Sequence, residues 1–378
     1  DAQRAAVVDP VSRNLLSLIP TSNATAANGS AAFLGEGSAN VDIDQFTGDV
    51  NHQLGDNDRL HAYYAWQRDQ RQEPNLQGNT IPDFGDTRSS HRMIGTLNHT
   101  HVFGANLVNE ARFGFNRINI TFAPNAALKP SDFGINNGIT ESVLPQITVQ
   151  GVGLNFGGPS GFPQGRTDTT MVLSDTVSYL RGRHSFKFGG EYRTFHNLNF
   201  GTNGGTFTFP SVPAFEAGIG SAFSATIGDL DSDVTQKALG LFVQDNVKLR
   251  SNVTLELGFR YDLNMSPTEA DDRFVYFDPL TASLYQTGQG GPRDKIYGNK
   301  NNYQPRVGVI WDPWNDGRTS IRAAYSLMSD QPVTNLVTPT AGNPPLVTPL
   351  TFTGPIKLES ALATAGPAGL APQSVDAD

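Results

Sequence analysis

The chain has 378 residues, 39 of them Gly and 24 Pro, is only 17% charged, and carries a formal net charge of −9 with no cysteine. Disulfides, Cys-ligated metals and thiol chemistry are therefore excluded, and so acidic a chain offers no basic surface for a nucleic acid. Its Gly, Pro and aromatic content favours strands and turns over helices, no run of 18 apolar residues could cross a membrane as a helix, and Asp1 to Ala6 lack the features of a signal peptide.

In chain order, two-residue alternation predicts strands at 41–52, 59–71, 91–100, 106–122, 169–180, 184–199, 237–248, 253–261, 304–311 and 320–329. The links inside successive pairs are short: Gln53–Asp58, His101–Ala105, Arg181–Arg183, Leu249–Asn252 and Asp312–Thr319. Those between pairs are long, at 72–90, 123–168, 200–236 and 262–303, with 330–378 as a possible fifth. A soluble sandwich mixes loop lengths at both ends, whereas an outer-membrane barrel has short periplasmic turns and long extracellular loops. The expected fold is all-β, an antiparallel transmembrane β-barrel segment of about ten strands. The strand-bearing part is 40–330, and 330–378 is expected to be an extracellular loop.

The strand faces agree with this. In 253–261, Val253, Leu255, Leu257, Phe259 and Tyr261 oppose Thr254, Glu256, Gly258 and Arg260. The same alternation sets Phe186, Phe188 and Tyr192 against Lys187, Glu191 and Arg193. Tyr179 and Trp311 next to short turns, with Tyr261 and Trp66 toward long loops, suit two interfacial aromatic girdles. Asp175 is a misfit on the apolar face with Met171, Leu173, Val177 and Tyr179, and a bulge or register change there is expected to resolve it.

Leu241-Phe-Val-Gln-Asp-Asn-Val-Lys-Leu249, followed by Asn252-Val-Thr-Leu-Glu-Leu-Gly-Phe-Arg-Tyr-Asp262, resembles the barrel of TonB-dependent outer-membrane transporters. Together with Tyr303-Gln-Pro-Arg-Val-Gly-Val-Ile-Trp-Asp-Pro313, Asn109-Glu-Ala-Arg-Phe-Gly-Phe-Asn-Arg117 and His184-Ser-Phe-Lys-Phe-Gly-Gly-Glu-Tyr192, it is similar to the Oar-like branch. The resemblance implies a barrel of about 22 strands of which 1–378 is a part, with a plug domain and TonB-contacting segment that this chain lacks. It also implies outer-membrane lipid, the plug and the TonB complex as partners, with an unidentified extracellular ligand. Its motif positions Gln244, Asp245, Gly258, Arg260, Tyr261, Pro305, Arg306 and Gly308 are structural. Gly258 and Gly308 leave the lumen face open, Gln244 and Asn246 face the lumen, and Asp245 faces outward near the interface.

Candidate chemistry is sparse. His99 and His101 share a strand face, but no third His or Cys completes a metal site. Asp229, Asp231 and Asp233 could gather Ca²⁺ or simply form a solvated acidic loop. Gly151 to Gly161 lacks the Lys-Ser/Thr of a phosphate loop and reads as a flexible extracellular loop. Glu110, Glu191 and Glu256 alternate with Arg112, Arg193 and Arg260 as lumen charge pairs. Phe156, Phe162, Phe207 and Phe209 could grip a substrate at the mouth or pack the loops together. No catalytic residue, cofactor or metal is assigned, and the chain is not expected to be an enzyme. The leading expectation is the barrel portion of a receptor that binds and imports a scarce extracellular ligand. Alternatives are a surface anchor for adhesion or secretion without transport, and a soluble all-β carbohydrate-binding module or enzyme.

Overall fold

Ten strands of alternating character zip into one antiparallel meander in the computed structural model, which describes residues 2–74, 78–136, 143–158, 161–298 and 300–361. They are β1 (Val41–Gln53), β2 (Asp58–Glu73), β3 (Asp86–Gly104), β4 (Leu107–Pro124), β5 (Gln164–Arg181), β6 (His184–Gly201), β7 (Ser232–Arg250), β8 (Val253–Asn264), β9 (Tyr303–Trp311) and β10 (Ile321–Ser326). Each pairs with its sequence neighbour, so every expected strand and short turn is present in the expected order. Several are longer than the alternation indicated. β3 and β7 have 19 residues each, where a membrane crossing needs roughly 10, so these strands rise well past the bilayer on the long-loop side.

Cross-strand pairing sorts the side chains into two faces. Phe186 lies opposite Tyr179 and Asp245, Tyr192 opposite Leu173 and Leu239, and Leu257 opposite Asp245 and Val307. This outward face leaves Val50, Leu173, Leu241 and Tyr325 between 51% and 62% exposed, a breadth of apolar surface that suits lipid and not water. The girdle aromatics all share it. Tyr179 stacks on Phe186 at 6.5 Å near the short turns, Tyr261 lies 5.3 Å from Tyr303 toward the long loops, and Trp66 pairs with Phe46. Val253 to Tyr261 is eight residue steps, about 26 Å of strand, comparable with the height of an apolar band.

Asp175 is resolved differently from the expectation. Its pairing is unbroken on both sides, without bulge or register change. The carboxylate instead accepts a hydrogen bond from Asn109 Nδ2 at 2.8 Å, with the small Ala111 and Gly190 directly opposite. A partner on the adjacent strand does what a backbone irregularity was expected to do. Replacing the pair by Asp175→Leu with Asn109→Val is expected to stabilise the folded barrel by on the order of 1 kcal/mol, because both polar groups leave the lipid face together. Urea unfolding in vesicles measures this, and a lowered midpoint would refute the lipid-facing placement.

The loops hold the largest departure. Segments expected to be structureless form a second sheet of five strands: Leu154–Phe156, Gln146–Val149, Thr206–Phe209, Ile219–Gly228 and Val347–Lys357. Thus 330–378 is not loop alone, since Val347–Lys357 is a strand antiparallel to Ile219–Gly228. The Gly151–Gly161 run is built in as well. Gly157, at φ +106°, sits where a Cβ would lie 2.2 Å from the Pro145 carbonyl oxygen. At Gly158 a Cβ would lie 2.2 Å from Val143 Cγ1. Gly157 and Gly158 serve close packing, which corrects the flexible-loop reading at those two positions.

This cap has its own apolar core. Phe156, Phe207, Phe209 and Phe223 are fully buried, Phe352 and Phe215 nearly so, and Phe207 meets Phe223 at 4.4 Å. The residues before β1 join it: Asp9 Oδ2 accepts from Ser12 N at 2.8 Å to cap helix Pro10–Leu15, whose Val11 and Leu15 enter the same core. Ser12 Oγ then donates to the Phe215 carbonyl at 2.6 Å. After β10 the chain turns back over the inner face, where Thr338 Oγ1 donates to Asn197 Oδ1 at 3.3 Å and Val337 packs with Val234 and Phe274.

Candidate functional site

The inner face of β6–β9 brings the polar motif positions together. Gln244, Gly258 and Arg306 follow one another across three strands, as Gln244 pairs with Gly258 and Gly258 with Arg306. Glu256 pairs with Gly308 one step nearer the short turns, and Arg260 with Gln304 one step farther away. Five of the eight motif positions therefore share one inner patch: Gln244, Gly258, Arg260, Arg306 and Gly308. Asp245, Tyr261 and Pro305 lie on the opposite, outward face, as alternation requires.

Each outward position has a physical reason. Asp245 accepts from His184 Nδ1 at 2.6 Å close to the turn, so its charge stays at the interface. Tyr261 belongs to the upper aromatic cluster with Phe259 and Tyr303. Pro305 is tolerated in the wall because its nitrogen points to the side of β10, where pairing ends at Arg306–Ser326. Its carbonyl on that side accepts from Leu327 N at 3.1 Å, so no ladder donor is lost toward β8.

Arg260 is the centre of the patch. Its Nε donates to both carboxylate oxygens of Asp262 at 2.9 Å, and Nη2 lies 2.8 Å from Oδ1. Gln304 Nε2 also donates to Asp262, which is thereby held by two side chains. The pair sits over Gly240, where a Cβ would come 2.3 Å from Arg260 Nη2 and 2.6 Å from Asp262 Oδ1. Arg193 pairs with Glu191 and Arg112 with Glu110, as the alternation suggested. Arg260, however, turns to Asp262 and not to Glu256, which faces Gly308. Asp262, Gln304 and Gly240 were not singled out from sequence. The Arg260-x-Asp262 spacing, which places both on one strand face, was the available signal.

Arg306 and Lys187 are exposed on this inner wall, and no ion pair holds either of them among the described residues. Arg193 is paired with Glu191 and Arg260 with Asp262, and Glu256 and Asp330 share the face, so the patch is rich in charge of both signs, with Lys187 and Arg306 as the cations left without an ion pair among the described residues. Met328, Ser329, Asp330 and Gln331, from the segment that turns back after β10, line its upper side together with Arg193 and Arg306. The arrangement can hold polar or anionic groups along the wall by charge-assisted hydrogen bonds.

The other candidates resolve into structure. Phe156, Phe207 and Phe209 are fully buried in the cap core and Phe162 is 4% exposed, beside Phe122. Enclosed rings cannot reach a ligand in solvent, so the substrate-contact reading gives way to loop packing. His99 Nε2 and His101 Nδ1 both turn to Asp58 Oδ1, at 2.9 and 2.6 Å, on the outward face by the short turns. Asp229, Asp231 and Asp233 do not converge on one point. Arg273 Nη1 bonds Asp229 Oδ2 at 3.0 Å and its guanidinium also reaches the Asp229 and Asp231 carbonyls, while Asp233 turns to His196 at 2.6 Å.

Comparison with known proteins agrees with this geometry. The family model described as outer membrane beta barrel domain matches residues 2–377. The TonB-dependent transporter Oar of Myxococcus xanthus is 28% identical over 231 residues, covering 56% of this chain and 19% of its own length. The outer membrane transporter YddB from Escherichia coli aligns with a TM-score of 0.50 at 12% identity, over 81% of this chain and 34% of that one. At that identity the likeness is one of fold. The chain thus spans about a fifth of the curated relative and a third of the solved transporter.

Proposed function

Because the chain belongs to the outer membrane beta barrel domain family and its place is the cell outer membrane, we propose that it forms part of the wall of a TonB-dependent receptor that imports a scarce extracellular ligand. The observation that supports this reading is the inner patch, where the ion pairs Arg193–Glu191 and Arg260–Asp262 lie beside Lys187 and Arg306 under the segment 328–331 that turns back after β10. A wall that served only as an anchor has no need of unpaired cations and ordered ion pairs on its inner face. In the proposed cycle the cap's outer surface meets the ligand and the inner arginines guide its polar groups. The plug and the TonB complex supply the gate and the energy. The role is binding and passage, without catalysis.

The test uses the full-length protein in its host, with and without a functional TonB, and follows uptake of radiolabelled siderophores, oligosaccharides and peptides. TonB-dependent uptake of one class is expected, falling at least about fivefold in Arg260→Gln/Arg306→Gln, the equivalent of roughly 1 kcal/mol in affinity for the lining. Surface display at normal levels with no TonB-dependent uptake in any class would instead establish the anchor.

A further inference from the structure

The short-turn end of the wall is not uniform. The first turn carries Asp56 and Asp58, and the last carries Asp312 and Asp316 with Arg318. Between them, the turns β5–β6 and β7–β8 bring Arg181, Arg183, His184, Lys248 and Arg250 together, all exposed. The two turns are tied to each other: Lys248 N donates to the Arg183 carbonyl at 2.8 Å, and Arg183 Nη1 donates to the Leu249 carbonyl at 3.1 Å. Among the described residues no carboxylate pairs with Arg181, Arg183, Lys248 or Arg250. Asp245, the acid beside them, is engaged by His184.

Register fixes where these charges sit. Arg181 pairs with His184 and Arg250 with Val253, which places both on the outward face at the turn tips. Immediately above on that face are Tyr179 and Phe186, stacked at 6.5 Å, and the His184 ring lies parallel to Phe186 at 5.3 Å. Aromatic rings of this kind mark the boundary between acyl chains and headgroups. The basic tips are one to two residues beyond it, at the depth of the phosphates of the periplasmic leaflet. The guanidinium groups of Arg181, Arg183 and Arg250, in a chain of net charge −9, complement an anion held at that depth, while Lys248, opposite Thr254, lies toward the inner face.

We propose that the paired turns 181–184 and 248–251 form a binding site for the headgroup of an anionic phospholipid in the periplasmic leaflet. The phosphate is gripped by the guanidinium groups of Arg181, Arg183 and Arg250, whose planar donors match phosphate oxygens, and the acyl chains run up the outward face past Phe186 and Phe188. This site rests on the outer-membrane location and not on the transport reading, so it stands or falls separately from ligand uptake.

The experiment takes the full-length protein through nanodiscs of phosphatidylethanolamine containing a minor fraction of phosphatidylglycerol, then counts retained lipids by native mass spectrometry. The wild type is expected to retain phosphatidylglycerol well above its share of the bilayer. Arg181→Gln/Arg183→Gln/Arg250→Gln is expected to lose that enrichment at least about tenfold, since it removes all three guanidinium donors to the phosphate. Heat-modifiable gel mobility reports whether each variant is folded, and the three single variants carry the test if the triple one is not. Lys129→Gln/Lys357→Gln, at the long-loop end, should leave the enrichment intact. No enrichment in the wild type, or unchanged enrichment in folded variants, would overturn the proposal. So would complete displacement of the lipid by millimolar glycerol phosphate, which would show a site for a soluble phosphate.

Discussion

Phe207→Ala should open the cap while leaving the wall standing. Phe207 is fully buried, touches Phe223 at 4.4 Å, stacks near Phe209 and lies on the strand that joins Gln146–Val149 to Ile219–Gly228. Truncation removes the ring and leaves a cavity between three strands, a change that costs about 3–5 kcal/mol in a well-packed core. Much of that loss falls on the cap, since the β1–β10 ladders do not include Phe207. Limited proteolysis of intact cells should then cut within 143–158 or 202–231, where the wild type resists, while heat-modifiable mobility persists. Cleavage resistance equal to the wild type would show that the cap does not depend on this core.

Gly228→Ala is expected to be nearly as severe, for a different reason. Gly228 ends the strand Ile219–Gly228 opposite Val347, at φ +126°, a backbone conformation close to exclusive to glycine. An added Cβ would lie 2.3 Å from the Leu346 carbonyl oxygen and 2.9 Å from Val347 Cα, backbone atoms that cannot swing aside. Conformational strain and overlap together should cost about 3 kcal/mol or more and unpair 347–357 from the cap. Hydrogen exchange of Val347–Lys357 reads this directly. Gly153→Ala is the companion: its φ is +62°, but a Cβ there meets nothing within 4 Å, so only about 1 kcal/mol is expected. Equal effects at the two positions would sink the argument from space.

The wall was legible because its information is local. Leu241 and Val243 alternate with Phe242 and Gln244, the turn at 249–252 is short, and a hairpin between neighbours needs nothing more. The pairing of Gln244 with Gly258 and of Gly258 with Arg306 followed once the hairpins were placed. The cap was hidden for the opposite reason. Thr206-Phe-Thr-Phe209 alternates as a strand should, but over four residues, and its partners are Gln146–Val149 and Ile219–Gly228, the latter diluted by Gly and Ser. The same Phe207 and Phe209 that looked like exposed loop aromatics become core only when those partners arrive. Asp175 was misjudged on similar grounds, since Asn109 is 66 residues away in sequence. In the inner patch, Arg260 had acids on its own face at 256 and 262. What favours Asp262 is the space over Gly240 on the neighbouring strand and the second donor, Gln304, on the other side.

Gly228 and Val347 meet across 119 residues of chain, while each wall strand finds its partner in the strand just before or after it. Closing so long a loop carries an entropic cost that is recovered only after the intervening strands are in place, so assembly has a built-in order. The wall zips first, strand by strand, and the cap knits last from pieces that the finished wall has brought side by side. Until Val347–Lys357 docks, Phe223 and its neighbours stay uncovered. The mouth is therefore the latest part of the molecule to mature, and a chain stalled before residue 347 would present an open sheet with a bare aromatic crown.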